Sequence, residues 1–155
     1  MRMYLESRLP CDADLAWSAV QTSALLREVA APVVVFRPAP DEHFPERWAV
    51  GPPVRFRFSL FGILPMGTQT VRMERIDPQA REIQSRESGP LVRRWDHLIR
   101  VQPAPGDSCL YSDEVEIEAG WLTPLVWLFA ALFYRHRQRR WQRVARRLSQ
   151  ETKGA

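Results

Sequence analysis

The stretch from Trp121 to Ser149 constrains the fold more than any other part of the chain. It is apolar on almost every side in its first half and dense in arginine in its second half. Thr123 fits a helix N-cap and Pro124 fits the first helical position, where a missing N–H costs nothing. No glycine or proline interrupts residues 125–153, so the sequence predicts one helix of about 25 residues, roughly 38 Å long.

The two halves of this helix predict different surroundings. The apolar run from Trp121 to Tyr134 covers 14 residues, too few to cross a bilayer, which takes about 20. We therefore expect the apolar half to be buried within its own domain. In the second half, one face at helical spacing is expected to pack inward. It consists of Phe133, Arg137, Trp141, Val144 and Leu148.

The arginines of the second half carry the positive charge of the chain. Residues 134–148 contain seven arginines and no acid, so the rest of the chain is net −3 although the whole is +4. A basic helix on an acidic body suits anionic lipid or nucleic acid. The segment lacks a nucleic-acid-binding signature, so we expect a solvated face, no specific nucleic acid and at most weak contact with anionic membranes. That contact would use Arg135, Arg139, Arg143, Arg146 and Arg147.

Length and composition limit the class of protein. A chain of 155 residues, 45% hydrophobic and 26% charged, predicts one globular domain over residues 1–155. The first ten residues lack the apolar segment of a signal peptide, so a cytoplasmic location is expected. Cys11 and Cys109 have no metal-ligand spacing and are expected to be small buried side chains. We expect no metal and no cofactor.

The first third of the chain predicts a strand, two short helices and a second strand. Prolines make Arg37–Pro53 a loop, in which Phe44 and Trp48 are expected to anchor to the core. The four elements are Arg2–Leu9, Asp12 or Asp14 to Val20, Ser23–Val29 and Val33–Phe36.

Five further strands follow, joined by short turns. Alternation is clearest where Phe56 and Phe58 interleave with arginines, which predicts one buried face. Short turns between successive strands predict an antiparallel meander. The strands are Val54–Leu60, Thr68–Ile76, Arg81–Glu87, Leu91–Val101 and Ser108–Ala119.

Five short motifs accompany this α+β order of elements. They are Ile76-Asp77, Glu87-Ser88-Gly89, Trp95-Asp96-His97, Tyr111-Ser112-Asp113-Glu114-Val115 and Tyr134-Arg135-His136-Arg137-Gln138. In these motifs and in element order over the whole chain, the sequence resembles the START/Bet v 1-like (SRPBCC) superfamily, specifically its bacterial polyketide cyclase and lipid-transport-like members. The resemblance implies a helix-grip fold, a curved antiparallel sheet of about seven strands wrapped around a long C-terminal helix. It also implies a pocket for a small apolar molecule between sheet and helix.

Strand parity places several titratable side chains on the inner face. A hairpin symmetric about residue 105 would put His97 opposite Asp113, both pointing inward, with Glu87 inward on the neighbouring strand. Polar groups on an apolar face must be paired or solvated. One interpretation is that they bind a ligand, or that His97 and Asp113 act as acid and base on an enolisable polyketide. The other interpretation is internal pairing, with Arg137 bound to Asp113 or Glu87. Internal pairing is favoured for Glu87 and Arg137, whereas both interpretations stay open for His97 and Asp113.

These patterns give the candidate ligand-binding residues. The aromatic residues among them are equally typical of an ordinary hydrophobic core. The candidates are Phe56, Phe58, Met73, Trp95, His97, Tyr111, Asp113, Phe129, Phe133 and Arg137.

Three functions follow from the sequence. The first is binding or transport of a small hydrophobic ligand, in a pocket of roughly 300 to 1,000 Å³. The second is a cyclase or dehydrase-like enzyme that uses His97 and Asp113. The third is association with anionic membranes or nucleic acid through the arginine-rich helix. The chain has no Gly-rich phosphate loop and no GxSxG elbow, which favours a carrier over an enzyme.

Overall fold

The computed structural model describes residues 1–154, in which seven strands and three α-helices follow the predicted order. A 3-10 turn, Gly120–Leu122, links the last strand to the last helix. The elements are β1 (Arg2–Leu9), α1 (Ala13–Val20), α2 (Ser23–Ala30), β2 (Val34–Pro38), β3 (Val54–Leu60), β4 (Leu64–Asp77), β5 (Glu82–Ser88), β6 (Arg94–Ala104), β7 (Ser108–Glu118) and α3 (Thr123–Gly154).

The strands form one antiparallel sheet in the order β1-β7-β6-β5-β4-β3-β2. The chain therefore runs as a meander from β2 to β7, and β1 joins the far side of β7. The sheet stays open, with β1 and β2 at its edges, and it curves around α3, which packs against β1, β7 and α2. The predicted α+β helix-grip fold is confirmed.

A side chain caps the N-terminus of each of the two short helices. The Asp12 carboxylate accepts hydrogen bonds of 2.9 Å from the backbone N–H groups of Asp14 and Leu15. Of the two aspartates proposed from the sequence, Asp12 is therefore the cap of α1. The Thr22 hydroxyl accepts from the N–H of Leu25 at 3.2 Å and caps α2 in the same way.

The hairpin between β3 and β4 is tighter than the sequence predicted. Leu60 pairs directly with Leu64, and the loop between them uses two successive residues with positive φ, Phe61 at 52° and Gly62 at 73°. The strand β4 consequently begins four residues before the predicted Thr68. A register shift opposite the junction of Phe58 and Ser59 accommodates the extra residue in this part of β4.

Two other strands differ from the predicted bounds for local reasons. The strand β2 continues to Pro38, which is tolerated because β2 lies at the edge of the sheet. The strand β6 begins at Arg94 rather than Leu91, because Gly89 and Val92 exchange backbone hydrogen bonds of 2.9 and 3.3 Å in the preceding turn.

The helix α3 is longer than predicted and begins differently. It has 32 residues rather than about 25. The Thr123 hydroxyl donates to the Gly120 carbonyl at 2.6 Å and accepts from the Ala119 N–H at 2.9 Å. Thr123 therefore fixes the turn before α3, and its hydroxyl does not cap the N–H groups of the helix itself. No helix within residues 1–154 is long and apolar enough to span a bilayer.

The burial of α3 matches the prediction on one side only. The stripe of Phe133, Arg137, Trp141 and Val144 is buried as expected. The expectation that the apolar half is buried all round is wrong, because its outer side faces solvent. Leucines 125, 128 and 132 are 66%, 52% and 58% exposed there.

The loop before β3 is held by aromatic packing. Phe44 stacks on Phe56 with ring centroids 4.9 Å apart, and Trp48 meets Phe56 edge-on at 6.0 Å. This confirms the expected hydrophobic anchor. Cys11 and Cys109 are fully buried in the core, also as expected.

Candidate functional site

A cavity of about 440 Å³ lies between the concave face of the sheet and α3. Most of its lining is apolar, and two lining leucines, Leu91 and Leu125, are exposed at its edge. These leucines mark the side on which the cavity opens to solvent. Eight of the ten candidate residues line it: Phe58, Met73, Trp95, His97, Tyr111, Phe129, Phe133 and Arg137.

The other two candidates lie outside the lining. Phe56 is buried among Phe44, Trp48 and Phe36, where its ring joins the anchor of the long loop. Asp113 is fully buried one layer behind the cavity wall, in contact with lining residues. The structure therefore assigns Phe56 to the core and Asp113 to the support of the site.

The Asp113 carboxylate accepts three hydrogen bonds from three different elements. Oδ1 lies 2.8 Å from Nε2 of His97 on β6 and accepts from the Tyr111 hydroxyl on β7, also at 2.8 Å. Oδ2 accepts from Nε2 of Gln138 on α3 at 3.0 Å. The same Gln138 amide donates to the Leu5 carbonyl at 3.1 Å. One carboxylate thus joins β1, β6, β7 and α3.

These contacts keep Asp113 ionised despite its burial. Burial alone would raise the pKa of Asp113, but the His97 hydrogen bond and the positive charge of Arg137 outweigh it and lower the pKa. Because the acceptor is a carboxylate, the hydrogen between the two residues belongs to His97 Nε2. Burial and the neighbouring negative charge raise the pKa of Tyr111, which keeps its hydroxyl a donor.

The strand register differs from the prediction by two residues. His97 pairs with Val115, and Asp113 pairs with Ile99, so the predicted direct pairing of His97 with Asp113 is wrong. The β6–β7 turn places Ala104 opposite Ser108, which centres the hairpin on residue 106 rather than 105. The two side chains still meet, because diagonal neighbours on one face of a sheet are within reach of long side chains.

Glu87 faces the cavity and is held by neutral partners. Its Oε2 accepts from Gln69 at 2.8 Å and its Oε1 accepts from the Ser85 hydroxyl at 3.3 Å. Burial raises the pKa of Glu87, and the nearby positive charge of Arg137 only partly opposes this. The predicted internal pairing of Glu87 is confirmed, although its partners are an amide and a hydroxyl rather than Arg137.

Arg137 is buried without an ion pair. It is 7% exposed, and within residues 1–154 its guanidinium forms no hydrogen bond and no salt bridge; its Nε is buried without a partner. The guanidinium carbon lies 4.8 Å from the ring centroid of Tyr134, a cation–π contact. The predicted pairing of Arg137 with Asp113 or Glu87 is therefore wrong. The hydrogen bonds of the Asp113 carboxylate come instead from His97, Tyr111 and Gln138.

Three residues of the site were missing from the sequence candidates. Gln138 lies on a buried helical stripe with Tyr134 and Trp141, at spacings of four and three residues, and this pattern could have identified it. Trp141 lines the cavity, and the sequence had placed it on the inner face of the helix. Gln69 lies on the same face of its strand as Met73, and both line the cavity. A polar residue on this apolar face is the pattern that could have identified it.

The arginine-rich face of α3 lies on the outside of the molecule. Arg135, Arg139, Arg143 and Arg146 are exposed, as expected for a solvated face. Arg147 is engaged with the Glu28 carboxylate, through bonds of 2.8 and 3.0 Å. Contact of this face with anionic membranes stays a prediction.

Fold and site together define a class: a helix-grip domain with an internal apolar cavity and a small polar cluster in its wall. Solved structures with this fold include a protein of Chromobacterium violaceum, at a TM-score of 0.73 and 13% identity, with 93% of this chain and 96% of that chain covered. A START superfamily protein from Mycobacterium smegmatis matches at 0.69 and 13% identity, with 95% and 98% covered. The Zhui aromatase/cyclase from a Streptomyces species matches at 0.67 and 13%, with 95% and 94% covered.

The fold is accordingly START/Bet v 1-like. At the level of sequence, residues 7–145 match the family described as "Domain of unknown function (DUF8410)", and the chain belongs to that family. No curated protein sequence matches the chain.

The Asp113 network yields a prediction about stability. Asp113→Asn removes the buried charge that His97, Tyr111 and Gln138 bind, and we expect it to lower the free energy of unfolding by about 3 to 5 kcal/mol at pH 7. Asp107→Asn is the control, because Asp107 is exposed and its contact with Lys153 is worth little. Urea unfolding of both variants and the parent measures the difference.

The same network predicts how that difference depends on pH. Because the pKa of Asp113 is lowered on folding, its contribution is fully present above the unfolded value of about 3.9 and is lost as pH falls through the folded pKa. The gap between parent and Asp113→Asn should therefore shrink below about pH 4. A gap that is constant from pH 7 to pH 3 would contradict the assignment of a buried carboxylate.

Proposed function

We propose that this protein binds a small hydrophobic molecule in the cavity between its sheet and α3. The single observation that supports this most is the cavity itself, about 440 Å³ of largely apolar space inside a domain of 155 residues. Interiors of proteins are normally packed with few voids larger than a water molecule. A space of this size falls in the range of ligand pockets, about 300 to 1,000 Å³.

The lining suits such a ligand. Side chains from the strands and from α3 supply aliphatic and aromatic surface, and the polar groups are few and grouped around His97 and Arg137. Ligand sites are typically apolar with a small number of placed polar groups that fix orientation. The exposed leucines at its edge, Leu91 and Leu125, give an apolar molecule a route to the interior. The protein would then act as a carrier, of lipid-like or polyketide-like molecules.

A cavity-filling variant tests the binding function. Val126 lines the cavity from α3, whereas Leu128 points to solvent two residues further along. We expect the wild type to bind the neutral fluorophore N-phenyl-1-naphthylamine with saturation, and Val126→Trp to weaken binding by about tenfold or more, a loss of about 1.4 kcal/mol.

The matched control is Leu128→Trp, which adds the same side chain outside the cavity and should leave the affinity unchanged. Fluorescence titration of the three proteins provides the comparison. Equal weakening by both substitutions, or no saturable binding by the wild type, would refute a binding cavity.

The contact between His97 and Asp113 favours a second candidate function, acid–base catalysis of the cyclase or dehydrase type. With Nε2–H donated to the Asp113 carboxylate, the basic nitrogen of His97 is Nδ1, and the residue lines the cavity. A carboxylate that orients and polarises a histidine is the arrangement of a general base. The base would take a proton from the acidic carbon of an enolisable ligand and return it to another atom.

The test is the exchange of α-deuterium from a labelled β-diketone. The wild type should accelerate the exchange, and His97→Gln should abolish the acceleration while it retains binding of N-phenyl-1-naphthylamine. A rate that His97→Gln leaves unchanged would remove the catalytic candidate and leave the binding function intact.

A further inference from the structure

The cavity contains a charged side chain that the protein itself does not neutralise by contact. Arg137 is 93% buried by residue surface, lines the cavity and forms no hydrogen bond or ion pair with any of residues 1–154. A guanidinium stays protonated in proteins and has five N–H donors in a fixed fork. Burial of such a group is unfavourable unless acceptors reach it.

The acidic neighbours do not provide those acceptors. The charge of Arg137 helps to lower the pKa of Asp113, but the hydrogen bonds of that carboxylate come from His97, Tyr111 and Gln138 and not from Arg137. Glu87 is held by Gln69 and Ser85, and burial raises its pKa, which favours its neutral form. The contact that Arg137 does make is with aromatic faces, of which that of Tyr134 is nearer.

The position of Arg137 suits a ligand with one charged end. Arg137 follows Leu125, at the edge of the cavity, by twelve positions in α3, about 18 Å along the helix axis. The lining over that distance includes Val126, Phe129 and Phe133, which are apolar. A hydrocarbon chain or ring system can fill this part while its polar end meets the guanidinium.

From this geometry we propose that the ligand is an amphiphilic anion whose carboxylate or phosphate group binds Arg137 and whose apolar part fills the cavity. The guanidinium fork matches either group through two parallel N–H···O bonds. A ligand without an acidic group forms no such pair of charge-assisted bonds and therefore binds more weakly. The inference rests on the proposed binding function and adds the chemical class of the ligand.

The test compares three ten-carbon molecules that differ in the headgroup alone: decanoate, decyl phosphate and 1-decanol. Each competes with N-phenyl-1-naphthylamine at pH 7, below its aggregation concentration. The wild type should bind at least one of the anions about tenfold or more tightly than 1-decanol. Which anion binds more tightly separates a carboxylate ligand from a phosphate ligand.

Arg137→Met removes the charge and keeps an unbranched side chain. It should reduce the affinity for the preferred anion by about tenfold or more and leave the affinity for 1-decanol unchanged. Arg139→Met removes an exposed arginine two residues away and should change none of the three affinities. Arg137→Lys keeps the charge but loses the fork. Its affinity for the preferred anion should lie between those of the wild type and Arg137→Met, and it replaces Arg137→Met in the test if the methionine variant does not fold.

The outcomes separate the two proposals. If the wild type binds 1-decanol as tightly as the anions, or if the Arg137 variants bind the anions as tightly as the wild type, the anionic ligand is refuted and the binding cavity stands. If the fluorophore itself does not bind to the wild type, the binding function is refuted and the inference about the ligand is refuted with it.

Discussion

The architecture depends on one buried carboxylate. Asp113 on β7 accepts hydrogen bonds from β6, from β7 itself and from α3, and the Gln138 amide that reaches it also holds the backbone of β1. Hydrophobic contacts are not directional, so they specify the orientation of α3 on the sheet less sharply than hydrogen bonds do. A buried carboxylate with three fixed donors resists displacement of the helix, because a displacement would leave the buried charge without its hydrogen bonds. This contact therefore helps to fix the position of α3, and with it the shape of the cavity, together with the hydrogen bonds of Trp127, His136 and Arg140 to backbone carbonyls.

The same contact explains the unpaired charge in the cavity. Gln138 and Arg137 are successive residues of one helix, so their side chains leave it about 100° apart. When Gln138 is directed at Asp113, Arg137 is directed along the cavity wall, toward Tyr134 and Phe133. Asp113 is bound by His97, Tyr111 and Gln138, and it forms no hydrogen bond with Arg137. Within residues 1–154, Arg137 is thus a buried cation without a hydrogen-bond partner in the cavity, and the proposal of an acidic ligand rests on this observation.

The sequence predicted the elements and the inward residues well, because both depend on short-range periodicity. Alternation along the strands placed Trp95, His97 and Tyr111 on the inner face, and the 3.6-residue period placed Arg137 there. The pairing of His97 was missed because a shift of one residue in the turn centre moves every cross-strand partner by two. The absence of an ion pair at Arg137 was missed because strand parity does not tell which donors reach Asp113 in three dimensions. The exposed leucines of α3 have the same cause, since composition does not tell which side of an apolar helix the sheet covers.

Native mass spectrometry of gently purified protein, followed by organic extraction and negative-ion analysis, would show whether the cavity holds an acidic ligand. We expect a retained small molecule, or one taken up on incubation with decanoate or decyl phosphate, that dissolves in organic solvent and ionises as an acid. A retained molecule without an acidic group would contradict the role given to Arg137. A protein that stays empty after incubation with both anions would contradict the account as a whole.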